Sequence, residues 1–493
     1  MNPGSSQGRH GLERPDKKRI SFMKNKRILG FFLISLAALC LSGCGSKRQT
    51  EAENWTSFEQ WAKAKAFPLK TTEPDSGFED LAVLKDIVGD AKVVALGESI
   101  HYGHEFIRMH HRLIEYLVEE MGFTAVAQET GFSESELVHR YVSGQVEEPP
   151  QWTEDPEKLD TVGYTWGFGK EKAQIALVRW MRTYNENTHH TRRINFYGID
   201  IAHGYSSPLT SLECAWKYLD RVDSGYKNSD NRKNLRSLVE KFLGSGGGIR
   251  FVSTQKYHKL PPEAKNAYKA EIARLIAHFE INRIDFIRES SIDEYEWAYR
   301  HAIAARQLNQ CTEYLLDYLQ NQDFERSSRY RDYCQADNIC WALDREKPRG
   351  RVILTAHNAH IQKYPDSNPA WFSHPYPPAG LVLESRLGAD YVNVGFIYYR
   401  AVGGFQPYEV EGKSDLSQSD ENSIGSALSR VGLPVFILNL KEAPKRGPVH
   451  DWLNRERPMM AEADYMPVNI LKAWDALLYI DEISYAHRPN PDN

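Results

Sequence analysis

Short apolar runs alternate with longer stretches of helical periodicity in the first part of the chain. Residues 92–96, 124–128 and 194–200 are rich in β-branched and aromatic side chains, which is typical of buried strands. Between these runs, residues 106–121 and 171–185 place apolar side chains at helical spacing. Strands that alternate with helices predict a parallel sheet with helices on its faces.

A long helical segment interrupts this alternation. Residues 207–346 lack strand signals and hold a series of charged amphipathic stretches. The strand pattern then returns at 351–355, 391–396, 434–438 and 476–480. We therefore predict an α/β fold with a mainly parallel sheet core and flanking helices, divided by a long helical insertion. The two parts of the core are 56–206 and 347–493.

The amino terminus has a different pattern. Basic side chains at Lys24, Lys26 and Arg27 precede an apolar run over 28–41. This run is short for a membrane-spanning helix but has the length of a signal-peptide core. It ends in Leu41-Ser42-Gly43-Cys44, which resembles the lipobox of bacterial lipoproteins, in which the cysteine carries the lipid.

These features predict how the amino terminus is processed. Residues 1–44 are expected to be a signal peptide with a lipobox, with Met23 as the true start, and residues 45–55 a flexible tether. No Asp follows Cys44, as an inner-membrane retention signal would require. We therefore expect the mature protein in the cell envelope, outside the cytoplasm and anchored to a membrane by its lipid.

Charge and cysteine content argue against several classes of protein. Residues 1–48 hold ten Lys or Arg against two Asp or Glu, which leaves the rest of the chain with 51 against 64. An acidic body disfavours nucleic acid as the partner, because phosphate binding needs a basic face. The later cysteines form no C-x-x-C pair, so a disulfide framework or zinc knuckle is not indicated. The sequence does not decide whether disulfide bonds form among Cys214, Cys311, Cys334 and Cys340.

Reactive side chains gather where the predicted strands end. They are Glu98 and His101 after 92–96, Glu129 after 124–128, Asp200 at the end of 194–200, and His357 and His360 after 351–355. In an open parallel sheet, ligands bind beyond the carboxyl ends of the strands. Because loops from separate strands converge there, we expect these side chains to form one catalytic site.

Histidines and carboxylates in one cleft favour hydrolysis by an activated water. A histidine of near-neutral pKa can take a proton from water, while a carboxylate fixes its tautomer and stabilises the imidazolium. A second histidine pair could donate to a developing oxyanion or protonate the leaving alkoxide. The substrate would then be a small-molecule ester.

Other chemistries use the same residues. Gly97-x-Ser99-x-His101 is similar to a nucleophile elbow that lacks its last glycine, which would make Ser99 a covalent nucleophile. Alternatively, His101, His357 and His360 with a carboxylate could hold a metal. That set would suit a metal-dependent hydrolase, or a lipoprotein that binds haem or metal. The several carboxylates favour proton transfer over haem, which needs an apolar slot.

Three of these stretches resemble the erythromycin esterase family. They are Gly97 to Phe106, Gly122 to Glu129 and Ala356 to His360, within a similarity that spans about residues 90–482. The resemblance implies an α/β core interrupted by a helical insertion. It also implies a macrolactone-opening or other carboxylic-ester hydrolase without a metal or other cofactor, which could act in the response to macrolide antibiotics.

The resemblance also implies roles for individual residues. By motif match, His101 would be the general base that activates water. Glu98 and Glu129 would orient and charge the site, and His357 and His360 would line the opposite wall. The sequence does not indicate an oligomeric state.

One position departs from the family pattern. The family usually has an arginine nine residues after the motif histidine, and here that position is His110. Arg108 and Arg112 lie nearby, so we expect one of these three residues to contact the substrate instead.

Substitution of Cys44 by Ala tests the predicted lipid anchor. A multiply acylated cysteine anchors stably, whereas a single acyl chain binds a bilayer only marginally. We expect the Cys44→Ala protein to leave the membrane fraction or to stay unprocessed, as followed by fractionation and the mass of the amino-terminal peptide. A protein that remained membrane-bound and correctly processed would show that the lipobox interpretation is wrong.

Overall fold

The computed structural model describes residues 51–147, 163–202, 206–243, 251–348, 350–368, 371–402, 420–462 and 464–484. The predicted signal peptide and lipobox, including Cys44, lie outside the described residues. The chain divides after Glu53, and the fold below is that of the unit that begins at Asn54. Residues 51–55 of the predicted tether are helical.

The described residues form helices and strands in alternation. The strands are β1 (Phe67–Pro68), β2 (Val93–Leu96), β3 (Ala125–Gly131), β4 (Asn195–Asp200), β5 (Val352–Thr355), β6 (Tyr391–Ala401), β7 (Val435–Asn439), β8 (Glu456–Ala461), β9 (Asp464–Asn469) and β10 (Ala476–Ile483). The helices of the first part are α1 (51–65), α2 (Val83–Val88), α3 (His104–Glu119), α4 (Glu136–Val142) and α5 (Lys172–Glu186). A helical series follows: α6 (Pro208–Val222), α7 (Asp230–Leu243), α8 (Phe251–His258), α9 (Pro262–Ile281), α10 (Arg283–Glu289), α11 (Ile292–Asn321) and α12 (Glu325–Arg345). The last helices are α13 (Asn358–Ile361), α14 (Ala379–Leu387), α15 (Ile424–Ser429), α16 (Pro448–Leu453) and α17 (Ile470–Ala473).

Eight strands form the central sheet, in the order β1-β7-β10-β6-β2-β5-β3-β4. The run from β10 to β4 is parallel, and β7 and β1 add an antiparallel edge. The chain moves from β2 to β3 on one side of β2, and later from β5 to β6, which lies on the other side of β2. The sheet therefore has a topological switch point beside β2, where a cleft opens beyond the strand ends.

The central strands are buried on both faces. Val94 of β2 and Ile353 of β5 pack in a core with Leu113 of α3. Their neighbours Val93 and Val352 point to the other face, in a second core. This burial explains why the strands are continuous apolar runs instead of alternating ones.

The segment between β4 and β5 is helical, and most of it has a core of its own. Leu212 and Trp216 of α6 pack there with Leu275 and Phe279 of α9. The last helix, α12, is different, because its residue Ile339 belongs to the core of the sheet. The helical segment therefore ends on the sheet, in a position to contribute to the strand ends.

The α/β class, the mainly parallel sheet and the flanking helices are confirmed. The predicted strands are observed with small shifts at their ends, whereas the short β1 and the hairpin β8–β9 were not predicted. None of the described helices is both long enough and apolar enough to cross a bilayer.

Candidate active site

Glu98 and His101 lie in the loop that follows β2. His101 Nδ1 is 2.6 Å from Glu98 Oε1. The loop needs glycine at position 97, since a Cβ there would lie 2.0 Å from Asn358 Oδ1. Asn358 Nδ2 in turn donates to the Phe396 carbonyl of β6 at 2.7 Å. This close approach fixes the path of the loop and with it the place of the His101 ring.

Glu129 lies in an irregularity of β3. The pairing of β3 with β4 shifts register between Gln128 and Gly131, and such bulges re-aim side chains. Glu129 Oε2 accepts the backbone N–H of His357 at 2.9 Å. Its Oε1 accepts from Arg331 Nη2 at 2.7 Å. Glu129 thus joins the ends of β3 and β5 to α12.

Arg331 of α12 is the buried cation at these strand ends. Its Nε and Nη2 donate to the two oxygens of Asp200, at 2.8 and 2.7 Å. Burial would lower the pKa of Arg331, but Asp200 and Glu129 outweigh it and raise the pKa. Burial would likewise raise the pKa of Asp200, but the guanidinium holds it below its usual value. These groups therefore stay ionised in the interior.

His360 is held inside this network. Its Nδ1 is 2.6 Å from Asp332 Oδ1, and its Nε2 is 3.2 Å from Glu129 Oε1. Burial would lower the pKa of His360, but Asp332 and Glu129 raise it to about 10. Nη1 of Arg331 lies 3.0 Å from the same Nε2 and can only donate, so this contact opposes the rise in pKa and favours a ring with its proton on Nδ1, toward Asp332. The ring also acts on Glu129, whose pKa burial would raise but His360 and Arg331 hold well below its usual value.

His357 has the opposite character. Its Nδ1 accepts the backbone N–H of Ala359 at 3.1 Å, which places its proton on Nε2. Burial and the nearby His101 lower the pKa of His357 to about 3, although Glu129 and the Ser99 carbonyl act to raise it. The buried Nε2 makes no hydrogen bond of normal geometry within the described residues. His357 is therefore a neutral imidazole whose N–H donor makes no hydrogen bond of normal geometry.

Glu462 completes the cluster, and the sequence reasoning missed it. It follows β8 directly and has left-handed backbone, with φ of 56°. Its Oε1 accepts the backbone N–H of His101 at 2.9 Å and lies 3.6 Å from Nε2 of both His101 and His357. Such a backbone costs about 1–3 kcal/mol outside glycine and recurs at functional sites. No local motif marks this residue, because the hairpin alone brings it to the strand ends.

The contact with Glu462 changes the proton state of His101. Burial would lower the pKa of His101, but Glu462 and Glu98 raise it to about 10. Burial raises the pKa of Glu462 itself to about 7, even though His101 opposes the shift. The pKa of His101 therefore rises by more than the modest amount expected from one neighbouring carboxylate. The two groups therefore titrate as a pair, which holds one shared proton between these values.

The three candidates for substrate contact lie in different surroundings. Arg112 is fully buried and bound to Asp80, with Nη2 to Oδ1 at 2.5 Å. Arg108 forms an ion pair with Glu73. His110 is buried, and its Nε2 donates to the Gly97 carbonyl at 2.8 Å, beneath the loop that carries His101. None of these side chains has a described contact with the cluster histidines, so substrate contact stays a prediction for all three.

The geometry also bears on the competing chemistries. The Ser99 side chain is fully buried, and its Oγ has no hydrogen-bond partner within the described residues. A nucleophilic serine needs a base within hydrogen-bond reach. His360 Nδ1 contacts Asp332, and its Nε2 contacts both Arg331 and Glu129, so neither nitrogen is free to bind a metal together with His101 and His357.

Known proteins resemble this chain over most of its length. The erythromycin esterase family model matches residues 118–483. Erythromycin esterase type II of Escherichia coli is 26% identical over 439 residues, covering 87% of this chain and 98% of that protein. A solved Bacillus cereus structure superposes with a TM-score of 0.71 at 25% identity, over 88% of this chain and 99% of that one. A mutant of the erythromycin esterase EreC in its open conformation gives a TM-score of 0.65 at 19% identity, over 85% and 98%.

The buried Arg112–Asp80 pair predicts a stability role for Arg112. Removing one partner of a buried ion pair leaves an uncompensated charge, at a cost of about 3–5 kcal/mol. We expect Arg112→Met to lower the free energy of unfolding by that order, without raising KM for an ester. The control is Arg108→Met, whose half-exposed pair should contribute no more than about 1 kcal/mol. If Arg112→Met left the free energy of unfolding unchanged but raised KM, Arg112 would contact the substrate instead.

Proposed function

This chain belongs to the erythromycin esterase family and is a hydrolase, and from that premise we propose that it cleaves carboxylic esters by activating a water at His101. The lactone of a macrolide is the substrate class that the names of its relatives favour. The observation that carries the proposal is the meeting of His101 Nε2, His357 Nε2 and Glu462 Oε1 at one point, with separations of 3.6 Å from the carboxylate to each nitrogen.

The water would bind at His101 Nε2. Nδ1 of the same ring is bound to Glu98, so Nε2 is the nitrogen that faces the cleft. Loss of the water proton to Nε2 makes a hydroxide, which adds to the ester carbonyl. The imidazolium so formed is stabilised by Glu98, and it can return the proton to the leaving alkoxide.

Glu462 would control when Nε2 is free. In the resting pair the shared proton resides on His101, whose pKa is about 10, and not on Glu462, whose pKa is about 7. Transfer of that proton to Glu462 exposes the lone pair of Nε2 without changing the net charge of the site. Glu462 is thus a positioning and proton-holding residue that sets the fraction of competent His101.

His357 would bind the carbonyl oxygen. Its Nε2–H has no partner within the described residues, and Glu129 holds its backbone by a 2.9 Å bond. A fixed donor in a dry site stabilises the oxyanion of the tetrahedral intermediate, since it needs no reorganisation during the reaction. A neutral imidazole suits this role, because its N–H is retained throughout.

We further propose that the enzyme works at a membrane in the cell envelope. This rests on the basic residues, apolar run and lipobox-like Cys44 of the first 44 residues. An anchored hydrolase there would meet a macrolide before the compound reached the cytoplasm, which links the activity to antibiotic resistance.

Replacement of His101 tests the proposal. The His101→Asn variant keeps much of the side-chain volume but has no basic nitrogen, so we expect ester hydrolysis to fall by about 10²–10⁴-fold. A macrolide and a simple aryl ester are the substrates, and the product is identified by mass as the addition of one water. Tm should change little, because the ring is at the cleft and not in a core.

The matched control is His111→Asn, a buried histidine on α3 whose Nε2 is 3.2 Å from Glu115 Oε1, outside the cluster. We expect this variant to keep its rate even if its Tm falls. An active His101→Asn enzyme would contradict water activation by His101 alone. So would loss of activity on chelation with recovery by one divalent ion, measured at a temperature where the chelated protein stays folded.

The pairing with Glu462 predicts a shift in the pKa of His101. The Glu462 carboxylate raises this pKa, so Glu462→Gln should lower it, and neutral His101 should form at lower pH than in the native protein. Diethyl pyrocarbonate reacts only with neutral imidazole, so the pH at which His101 becomes modified, read by peptide mass, should fall. Glu456→Gln on the same hairpin is the control. If the pH at which His101 becomes modified were unchanged in Glu462→Gln, the two groups would not share a proton.

A further inference from the structure

A second cluster of ligand-type side chains lies apart from the catalytic cleft. Glu136 of α4, Cys214 of α6 and His301 of α11 place a carboxylate oxygen, a thiol sulfur and a ring nitrogen within 4.8 Å of one another. Among the described residues, this is the one such group of three or more His, Cys, Asp or Glu side chains. It lines a cavity of about 240 Å³ between the first helices of the core and the helical segment.

The tautomer of His301 is fixed by a serine behind it. Ser133 Oγ donates to Ser211 Oγ at 2.8 Å, so it accepts from His301 Nδ1 at 2.9 Å. A neutral His301 therefore carries its proton on Nδ1 and directs the lone pair of Nε2 into the cluster. Metal-ligating histidines are characteristically held in this way, with the second nitrogen donating to a neighbouring acceptor.

The unpaired nitrogen faces another acceptor. His301 is 2% exposed, and its buried Nε2 makes no hydrogen bond within the described residues, although Glu136 Oε2 is only 3.3 Å away. A neutral Nε2 and a carboxylate at that distance repel, so the pair needs either a proton on Nε2 or a metal ion between the two ligand atoms. Two ligands at about 2.0 Å from a tetrahedral zinc ion are separated by about 3.3 Å, which matches the observed gap.

We propose that Glu136, Cys214 and His301 bind a zinc ion, with water from the cavity in the fourth position. Thiolate, imidazole and carboxylate are the ligands that zinc accepts together, and the soft sulfur disfavours magnesium and calcium. The ion would balance the negative charges of Glu136 and the Cys214 thiolate, so that the buried group is neutral.

The site would act as a clamp. Its three ligands come from one helix of the sheet layer, α4, and from two helices of the inserted segment, α6 and α11. Because an unfolded chain presents no such geometry, the binding free energy contributes to folding. The clamp stands independently of the proposed ester hydrolysis, since none of its ligands belongs to the catalytic cluster.

The charge of the cluster makes zinc binding linked to a proton. A free cysteine thiol is mostly protonated at neutral pH, whereas a zinc-bound cysteine is a thiolate. Zinc has to displace that proton, and its binding should release it to the solvent.

Cobalt substitution tests the site on the full chain. After removal of metal by chelation, Co²⁺ should bind at one ion per chain and produce the near-ultraviolet band of a thiolate–cobalt bond, and Zn²⁺ should abolish this band. Zn²⁺ should also raise Tm, because it binds only the native state. The active-site histidines cannot produce the band, because they provide no thiolate.

Variants assign the ligands. Cys214→Ser should lose the thiolate band and the Tm response to Zn²⁺, whereas Cys340→Ser, which removes a half-buried thiol elsewhere, should keep both. If Cys214→Ser fails to fold, His301→Asn and Glu136→Gln serve instead, and each should weaken Co²⁺ by at least about 100-fold while the band persists at high Co²⁺. Absence of the band in the native protein, its survival in Cys214→Ser, or unchanged affinity in both other variants would overturn the proposal.

Discussion

The burial of negative charge at the strand ends is the constraint on which the site depends. Glu129 and Asp200 end neighbouring strands of one sheet, and both are inaccessible to solvent. They remain ionised there because Arg331 reaches both from α12 with bonds of 2.7–2.8 Å, and because His360 also lowers the pKa of Glu129. A buried ion pair of this kind contributes little net stability, but losing one partner is costly. The arrangement therefore specifies which helix covers the cleft more than it strengthens the fold.

Three histidines of one cluster have three different electrostatic environments. His360 lies between the Asp332 carboxylate and the Arg331 guanidinium, whereas His357 accepts a backbone N–H and stays neutral. His101 shares its proton with Glu462, whose carboxyl has the less common property of a pKa near neutrality. The same side chain can thus serve as a link between charged groups, a fixed donor or a mobile base, depending on its second partner.

Much of the fold and part of the cluster could be predicted from the sequence. Apolar runs mark the parallel strands, and the rule that ligands bind at their carboxyl ends led to Glu98, His101, Glu129, His357 and His360, which the structure brings together. Glu462 could not be found this way, since a hairpin outside the central sheet delivers it. Helical periodicity did not place Arg331 in the site, because it does not tell which face of α12 meets the strand ends. The spacing of Arg108 and Arg112 along the chain placed them near His101 but did not tell where their side chains point. In the structure they pair with Glu73 and Asp80, outside the cluster.

The position of β5 determines when the central sheet can form during synthesis. β5 lies between β2 and β3 in the sheet, yet more than two hundred residues separate the end of β3 at Gly131 from its start at Val352. A nascent chain that has emerged only as far as the helical segment has a gap at the middle of its sheet, with the edges of β2 and β3 unpaired. Pairing across such a separation is slow to form, and exposed edges invite pairing with other chains. If the protein is exported through a membrane, keeping it unfolded until β5 has arrived would protect the sheet. A shortened chain that ends before His357 would also lack the oxyanion donor proposed above.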